Sequence, residues 1–210
     1  MENLIKISLN IWNNSRKNIP LVYYDKKIQD IQGYEPIVNL LENWNFETPS
    51  ICAILSNQNG IGKSHLASST IRLFIKNYVK ENYEKLDSEN FELPVFNLGF
   101  IPERVFLREL RDGYREKFFS ETEFYKSFCN YSMLVLDDIF SSKEKDQEFS
   151  RRAILDLLND RYEYYKRPTV ITSNLSLKEI ADIDTRFASR VNNSMLIEIT
   201  SKQTDFRKKT

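Results

Sequence analysis

The sequence predicts an α/β fold, a five-stranded parallel sheet flanked by helices. Three observations predict it. Short apolar runs bounded by turn or polar residues recur at Ile51–Leu55, Val95–Leu98, Met133–Leu136, Thr169–Thr172 and Met195–Ile199. Segments with apolar residues three and four apart, the helical period, lie between them. Ile51–Leu55 is apolar throughout, as in a strand buried on both faces, and strands alternating with helices imply parallel pairing.

Taken in order, Leu4, Ile5, Leu9, Ile11 and Trp12 make a short helical pattern that Asn13-Asn14-Ser15 stops. Such a piece either packs on its own domain or serves as a partner-binding hook, so residues 1–18 are set apart from a domain over 19–210. Ile19–Tyr24 is an extended or turn segment held out of helix by Pro20. Pro36–Trp44 reads as a helix leading into Ile51–Leu55. Ala67, Ile71, Phe74 and Tyr78 then form the apolar stripe of the next helix.

Lys80–Glu92 is a linker too charged for core, and Pro94 admits the strand Val95–Leu98. Pro102, favourable in a first turn, opens a helix to about Phe118. Ser120-x-x-Glu123 is a capping box for a helix to Phe128. After the strand Met133–Leu136, a long helix over Phe149–Tyr165 buries Ile154, Leu157, Leu158 and Tyr162. Thr169–Thr172 is a strand, Ser176 with Glu179 caps a short helix, Asp184–Val191 is helical, and Met195–Ile199 closes the sheet.

A chain of 210 residues, 41% apolar and 13% aromatic, supports one folded domain with a proper core. Thirty basic and thirty acidic residues cancel, so nucleic-acid affinity must come from a local patch. Cys52 and Cys129, far apart in apolar surroundings, fit reduced core thiols. With neither a signal peptide nor a membrane-length apolar run, a soluble cytoplasmic protein is expected, with no membrane partner.

Ile51–Ala67 carries the chemistry. Asn57-Gln58-Asn59-Gly60-Ile61-Gly62-Lys63-Ser64 matches the phosphate-binding signature G-x-x-x-x-G-K-[ST], with asparagine at the first glycine. In such a loop backbone N–H groups wrap phosphates, the lysine reaches the outer phosphates and the hydroxyl ligates Mg²⁺. Asparagine is the non-glycine residue that most readily takes positive φ, so Asn57 is expected to let the turn form, while Gly60 and Gly62 supply the permissive backbone where it comes closest to phosphate. Strand before and helix after give the loop its context, with the helix N-terminus aimed at the anion.

Leu134-Val135-Leu136-Asp137-Asp138 ends an apolar strand in two carboxylates. A parallel strand delivers such side chains to the ligand crevice, so Asp137 can help hold Mg²⁺ and Asp138 can orient an attacking water. The alternative is an acid pair capping the next helix. Asn174, ending the Thr169 strand, either hydrogen-bonds the γ-phosphate or the water, or is a turn residue. Arg186 and Arg190, four apart, share a helix face and either reach a neighbouring subunit's nucleotide or form surface ion pairs.

On the Pro102 helix, Arg104, Arg108, Arg111 and Arg115 recur at spacings of four, three and four, a basic stripe able to follow backbone phosphates. Phe106 and Tyr114 are candidates for base stacking, although Phe106 with Val105 and Leu110 also suits packing on the sheet. Glu103, Glu109, Asp112 and Glu116 flank the stripe and offer the other reading, a neutral solvated face. His65 packs or caps beside the loop.

SNQNGIGKSHLA, MLVLDDIF, RPTVITSNLSLKEI and TRFASRVNN, in that order, resemble the AAA+ ATPases of the bacterial helicase-loader group (DnaC/DnaI type) and the related IstB-type transposition ATPases. The resemblance spans about Ile19 to Lys209. It implies a P-loop AAA+ core binding ATP and Mg²⁺ at Asn57–His65, with Asn174 as sensor I. It implies Arg190, then Arg186, as the arginine finger of a homo-oligomer sharing its ATP sites, and adenine bordered by Ile19–Tyr24. It also implies that the Arg104–Arg115 helix faces single-stranded DNA and that Asp205-Phe206-Arg207 is the family's closing aromatic–arginine. Asp138 stands where many members carry glutamate, so hydrolysis is expected to be slow. With about ten residues after the last strand, neither a C-terminal helical lid nor a separate helicase-binding domain is expected. The implied role is loading or remodelling a replicative helicase. The alternatives are a helper ATPase acting with a transposase, or a non-hydrolysing adaptor switched by ATP.

Overall fold

The five apolar runs become one parallel sheet in the computed structural model, which describes residues 2–28, 35–44, 46, 50–86, 92–141 and 147–199. The strands are β1 (Ile51–Leu55), β2 (Leu98–Pro102), β3 (Met133–Ile139), β4 (Thr169–Ser173) and β5 (Met195–Glu198), in spatial order β2-β3-β4-β1-β5. Every residue of β1 and β4 is buried, as expected for strands covered on both faces. The helices are α1 (Glu2–Ser15), α2 (Glu35–Glu42), α3 (Lys63–Glu81), α4 (Tyr83–Leu86), α5 (Glu103–Gly113), α6 (Glu121–Cys129), α7 (Gln147–Asp160), α8 (Leu177–Ile183) and α9 (Thr185–Asn192). No helix among the described residues is long and apolar enough to cross a membrane.

The strand period of two divides the core. Cys52, Ile54, Val135, Val170 and Ile197 face a cluster built with α1 and α3, including Ile7, Ile11, Trp12, Leu66, Ile71 and Ile75. Ile51, Ala53, Leu55, Leu134, Leu136 and Ile171 face Phe106, Leu110, Phe128, Ile154, Leu157 and Phe187 on the other side. The N-terminal helix therefore packs on α3 and shares its core, with Ile11 and Trp12 almost fully buried.

Several boundaries differ from expectation. β2 starts at Leu98, not Val95, which is 66% exposed. Gly99 leaves room for its neighbours: a Cβ there would sit 2.9 Å from Leu134 Cδ1 and from the Tyr131 ring. α5 stops at Gly113, where Phe119 packs against the glycine, so Arg115 lies beyond the helix. The expected linker begins helical, in the end of α3 and in α4, with Leu86 buried. Its residues 87–91 and the expected closing Asp205-Phe206-Arg207 lie outside the described residues. The capping boxes hold at α8, where Ser176 and Glu179 cap each other, and in part at α6, where Ser120 accepts from the Glu123 amide.

Below the sheet lies a residue that the sequence pattern does not single out. α7 passes into a π-turn over Arg161–Tyr165, and Arg161 is fully buried. Its guanidinium donates to Thr169 Oγ1 at 2.9 Å and to the carbonyls of Phe128, Cys129, Tyr131 and Pro168 at 2.9–3.0 Å. Burial lowers its pKa to about 9. These bonds tie the end of α6 and the starts of β3 and β4 at the sheet end opposite the strands' C-termini.

Candidate active site

At the C-terminal ends of β1, β3 and β4 a cleft of about 560 Å³ opens, within the size range of ligand sites. Gly60, Gly62, Lys63, Ser64, Asp137, Asp138, Thr172 and Asn174 line it. The loop after β1 turns through Gly60 (φ 78°) and Gly62 (φ 88°), left-handed positions where glycine avoids the Cβ clash. Gly60 and Gly62 thus supply the permissive backbone, as expected, and the turn forms without a positive φ at Asn57, which is exposed. Gln58 N donates to Ser56 Oγ at 3.2 Å and shapes the start of the loop.

Lys63 opens α3 and is 8% exposed. Its Nζ donates to the carbonyls of Gln58 at 2.7 Å and Ser56 at 3.1 Å. Both acceptors belong to the loop, so the ammonium is held over the cavity the loop encloses. Ser64, next on the helix, donates through Oγ to Asp137 Oδ2 at 3.1 Å.

β3 brings the carboxylates. Its register with β4 runs regularly to Leu136↔Ile171 and resumes at Ile139↔Ser173, so Asp137 and Asp138 sit in a bulge. Asp138 takes φ 60° and Phe140 φ 61°, conformations that cost a non-glycine residue about 1 kcal/mol or more and concentrate at functional sites. Thr172 holds the bulge, accepting from the Asp138 amide at 2.8 Å and donating to Asp137 Oδ1 at 2.7 Å. Burial raises the Asp137 pKa; hydrogen bonds from Thr172 and Ser64 oppose this, nearby Asp138 adds to it and Lys63 opposes it.

Asn174 donates through Nδ2 to Asp138 Oδ1 at 2.7 Å, and its own Oδ1 is buried without a partner. The phosphate loop, the acid pair and the strand-end asparagine thus form one connected set. Sequence reading misses Thr172, although it lies two residues before Asn174 and so on the same strand face. Tyr23 belongs to the Ile19–Tyr24 segment that the resemblance sets beside the adenine. Tyr23 lines the cleft with Val22 and Lys26, and its ring packs on Phe100 at 4.2 Å. Burial and nearby Asp137 raise its pKa.

His65 packs beside the loop, its Nε2 3.0 Å from the Lys27 carbonyl oxygen, and joins α3 to the segment forming the opposite wall. Asn59 lines the cleft, whereas Ile61 is buried behind the loop. Arg186 and Arg190 are not among the cleft residues. Arg186 is exposed; Arg190 donates to Glu163 and Asn159 and lies 5.1 Å from the Tyr162 ring centre.

On α5, Arg104 and Arg108 are exposed, Arg111 lies over the Phe149 ring at 5.9 Å, and Arg115 bonds Asp112 at 3.1 Å. Phe106 is fully buried against Phe124, Tyr125 and Phe128, so it is not available for base stacking. The exposed aromatics there are Tyr114 and Phe118, the latter 90% exposed with Lys117 at 5.5 Å.

A glycine loop entering a helix from β1, a carboxylate pair ending β3 and an asparagine after β4, on this strand order, define the P-loop AAA+ fold. Within that class the chain is similar to replication proteins. It is 27% identical over 150 residues to the chromosomal replication initiator protein DnaA of Lacticaseibacillus casei, covering 70% of this chain and 28% of the relative. Among solved structures it resembles the DnaC helicase loader (22% identity, TM-score 0.55, 90% of this chain and 98% of that one). It also resembles a replication initiator DnaA bound to AMPPCP and single-stranded DNA (18% identity, TM-score 0.56, 83% and 49%). The chain spans little more than a quarter of the length of the curated relative, and no family model matches it.

Proposed function

We propose that the chain is an ATP-hydrolysing replication factor of helicase-loader type. The observation that carries this reading is the connected set Ser64–Asp137–Thr172–Asp138–Asn174 under a lysine-bearing loop. Lys63 would exchange its loop carbonyls for the outer phosphates. The Ser64 hydroxyl and Asp137 carboxylate, both hard oxygen donors 3.1 Å apart, would hold Mg²⁺. When bound, the ion neutralises charge on the β- and γ-phosphates. Asp138 would accept a proton from an attacking water, and Asn174 would fix that carboxylate.

Arg190 would complete the site of a neighbouring protomer, leaving its bonds to Glu163 and Asn159 on assembly; Arg186 is the second candidate. Arg104 and Arg108 support contact with single-stranded DNA, with Arg111 and Arg115 partly committed to Phe149 and Asp112. Similarity to an initiator and to a helicase loader supports a replication role over a transposition one.

The test combines ATP turnover, with and without single-stranded DNA, and capture of a purified hexameric helicase in the presence of ATP. Turnover together with helicase capture is expected. Capture of a transposase instead replaces this reading with the transposition helper. Partner capture without turnover replaces it with the adaptor, and recovery of neither partner overturns it.

A further inference from the structure

We infer that the groove between α1 and α3 is a docking surface for an acidic amphipathic helix of a partner protein. α1 carries more apolar surface than its packing uses. Ile7, Ile11 and Trp12 are buried in the domain core, yet Ile5 and Leu9, one turn apart, remain 58% and 47% exposed. They face a groove of about 650 Å³, larger than the nucleotide cleft and sharing no residue with it. Its apolar wall continues through Leu4, Ile28 and Leu73.

The described side chains that line that wall and carry a charge are basic. Lys27, Lys76 and Lys80 line the groove, and no carboxylate is among the described residues lining it. Arg72 turns inward, with its guanidinium over the Trp12 ring at 4.3 Å and a bond to the Tyr24 carbonyl, and so does not belong to the rim. Lys76 is 3.5 Å from Glu42, an exposed pair of little energetic weight that a better-placed carboxylate can displace.

Shape and length narrow the occupant. The α3 positions from Ser69 to Lys80 extend about 17 Å at 1.5 Å per residue, room for roughly three turns of a partner helix. Such a helix lays apolar residues at i, i+3, i+4 and i+7 into a groove and carries its charges at the edges. A concave surface between two helices suits a helix better than a flat lipid surface. Complementary charge at the rim chiefly sets selectivity and association rate, while the apolar wall supplies affinity.

This docking reading does not rest on the nucleotide site, and its test uses the full chain without nucleotide. The probe is a fluorescein-labelled 18-residue helical peptide with leucines at i, i+3, i+4 and i+7 and glutamates at the flanking positions. Its control has lysines in place of the glutamates. Fluorescence anisotropy is expected to give at least tenfold tighter binding of the glutamate peptide. The double variant Ile5→Asp, Leu9→Asp should lose at least tenfold, and Lys76→Glu, Lys80→Glu should reverse the preference. Circular dichroism establishes that each variant is folded. Equal binding of both peptides, or none, overturns the proposal. Binding only to phosphatidylglycerol vesicles overturns it in favour of a membrane surface, and self-association lost in the Ile5→Asp, Leu9→Asp variant overturns it in favour of a second copy.

Discussion

Asn174 donates its amide nitrogen to the Asp138 carboxylate at 2.7 Å, while its amide oxygen lies buried and unpaired. The bond fixes the carboxylate that would face an attacking water. Asp138→Asn is expected to lower kcat by about 10²–10⁴ and Asn174→Ala by about 10², with nucleotide affinity within about threefold of the parent. Steady-state turnover and equilibrium titration check this.

Lys63→Ala should abolish nucleotide binding without unfolding the chain. For the parent, saturation with Mg²⁺–ATP at about 100-fold over Kd stabilises the fold by about 2.7 kcal/mol. In a thermal-shift measurement the variant's midpoint should stay where it is on adding nucleotide. A preserved shift would mean that the ligand sits elsewhere.

Asp137 sets a pH dependence. Its folded-state pKa lies above the unfolded value, so the folded chain holds the proton more tightly. Its contribution is therefore favourable below the unfolded carboxylate range and is lost as pH rises through the raised pKa. Asp137→Asn should flatten this acid-to-neutral slope and raise the midpoint at pH 7, by roughly 2–4 °C for each kcal/mol recovered. It should also remove Mg²⁺-dependent turnover. Urea melts across pH 3–8 measure the slope.

The core of the candidate site is legible in the sequence because its chemistry lies in contiguous motifs. NQNGIGKS and the apolar run into Asp137-Asp138 declare themselves by residue type and spacing. Thr172 does not, since its part depends on a bulge in β3 that no spacing reveals. Gly60 and Gly62 are legible as the left-handed positions, and the turn forms with Asn57 outside that region. Arg161 continues the stripe of Ile154, Leu157 and Leu158 at helical spacing, but a charged residue there reads as a surface position until five acceptors are found around it. The start of β2 is misplaced because Val95 looks like strand, whereas Gly99 looks like its end. The basic stripe reads too long because Gly113 ends the helix before Arg115.

For DNA, Arg104→Ala with Arg108→Ala should weaken single-strand binding and reduce the slope of log K against log salt by about 0.7 for each phosphate no longer neutralised. Phe118→Ala should cost about 1–3 kcal/mol if a base stacks there. Anisotropy titrations at several salt concentrations separate these effects. No change in slope would remove α5 from the nucleic-acid surface.

Arg190→Ala should lose turnover but keep nucleotide binding. Mixing it with Asp138→Asn should restore part of the rate, because a mixed assembly contains some sites with both an intact Asp138 and a neighbour's Arg190. Absence of any recovery on mixing would mean that Arg190 acts only through Glu163 and Asn159 in its own chain.

The lysine of the phosphate loop has consequences for calorimetry. Since Lys63 already holds the Gln58 and Ser56 carbonyls, a nucleotide would enter by exchange: two charge-assisted bonds would break as new ones to phosphate form. Heat released on binding should therefore fall short of what the new bonds alone suggest. In return the loop arrives already wrapped around a positive charge, so little ordering entropy remains to be lost when the anion arrives.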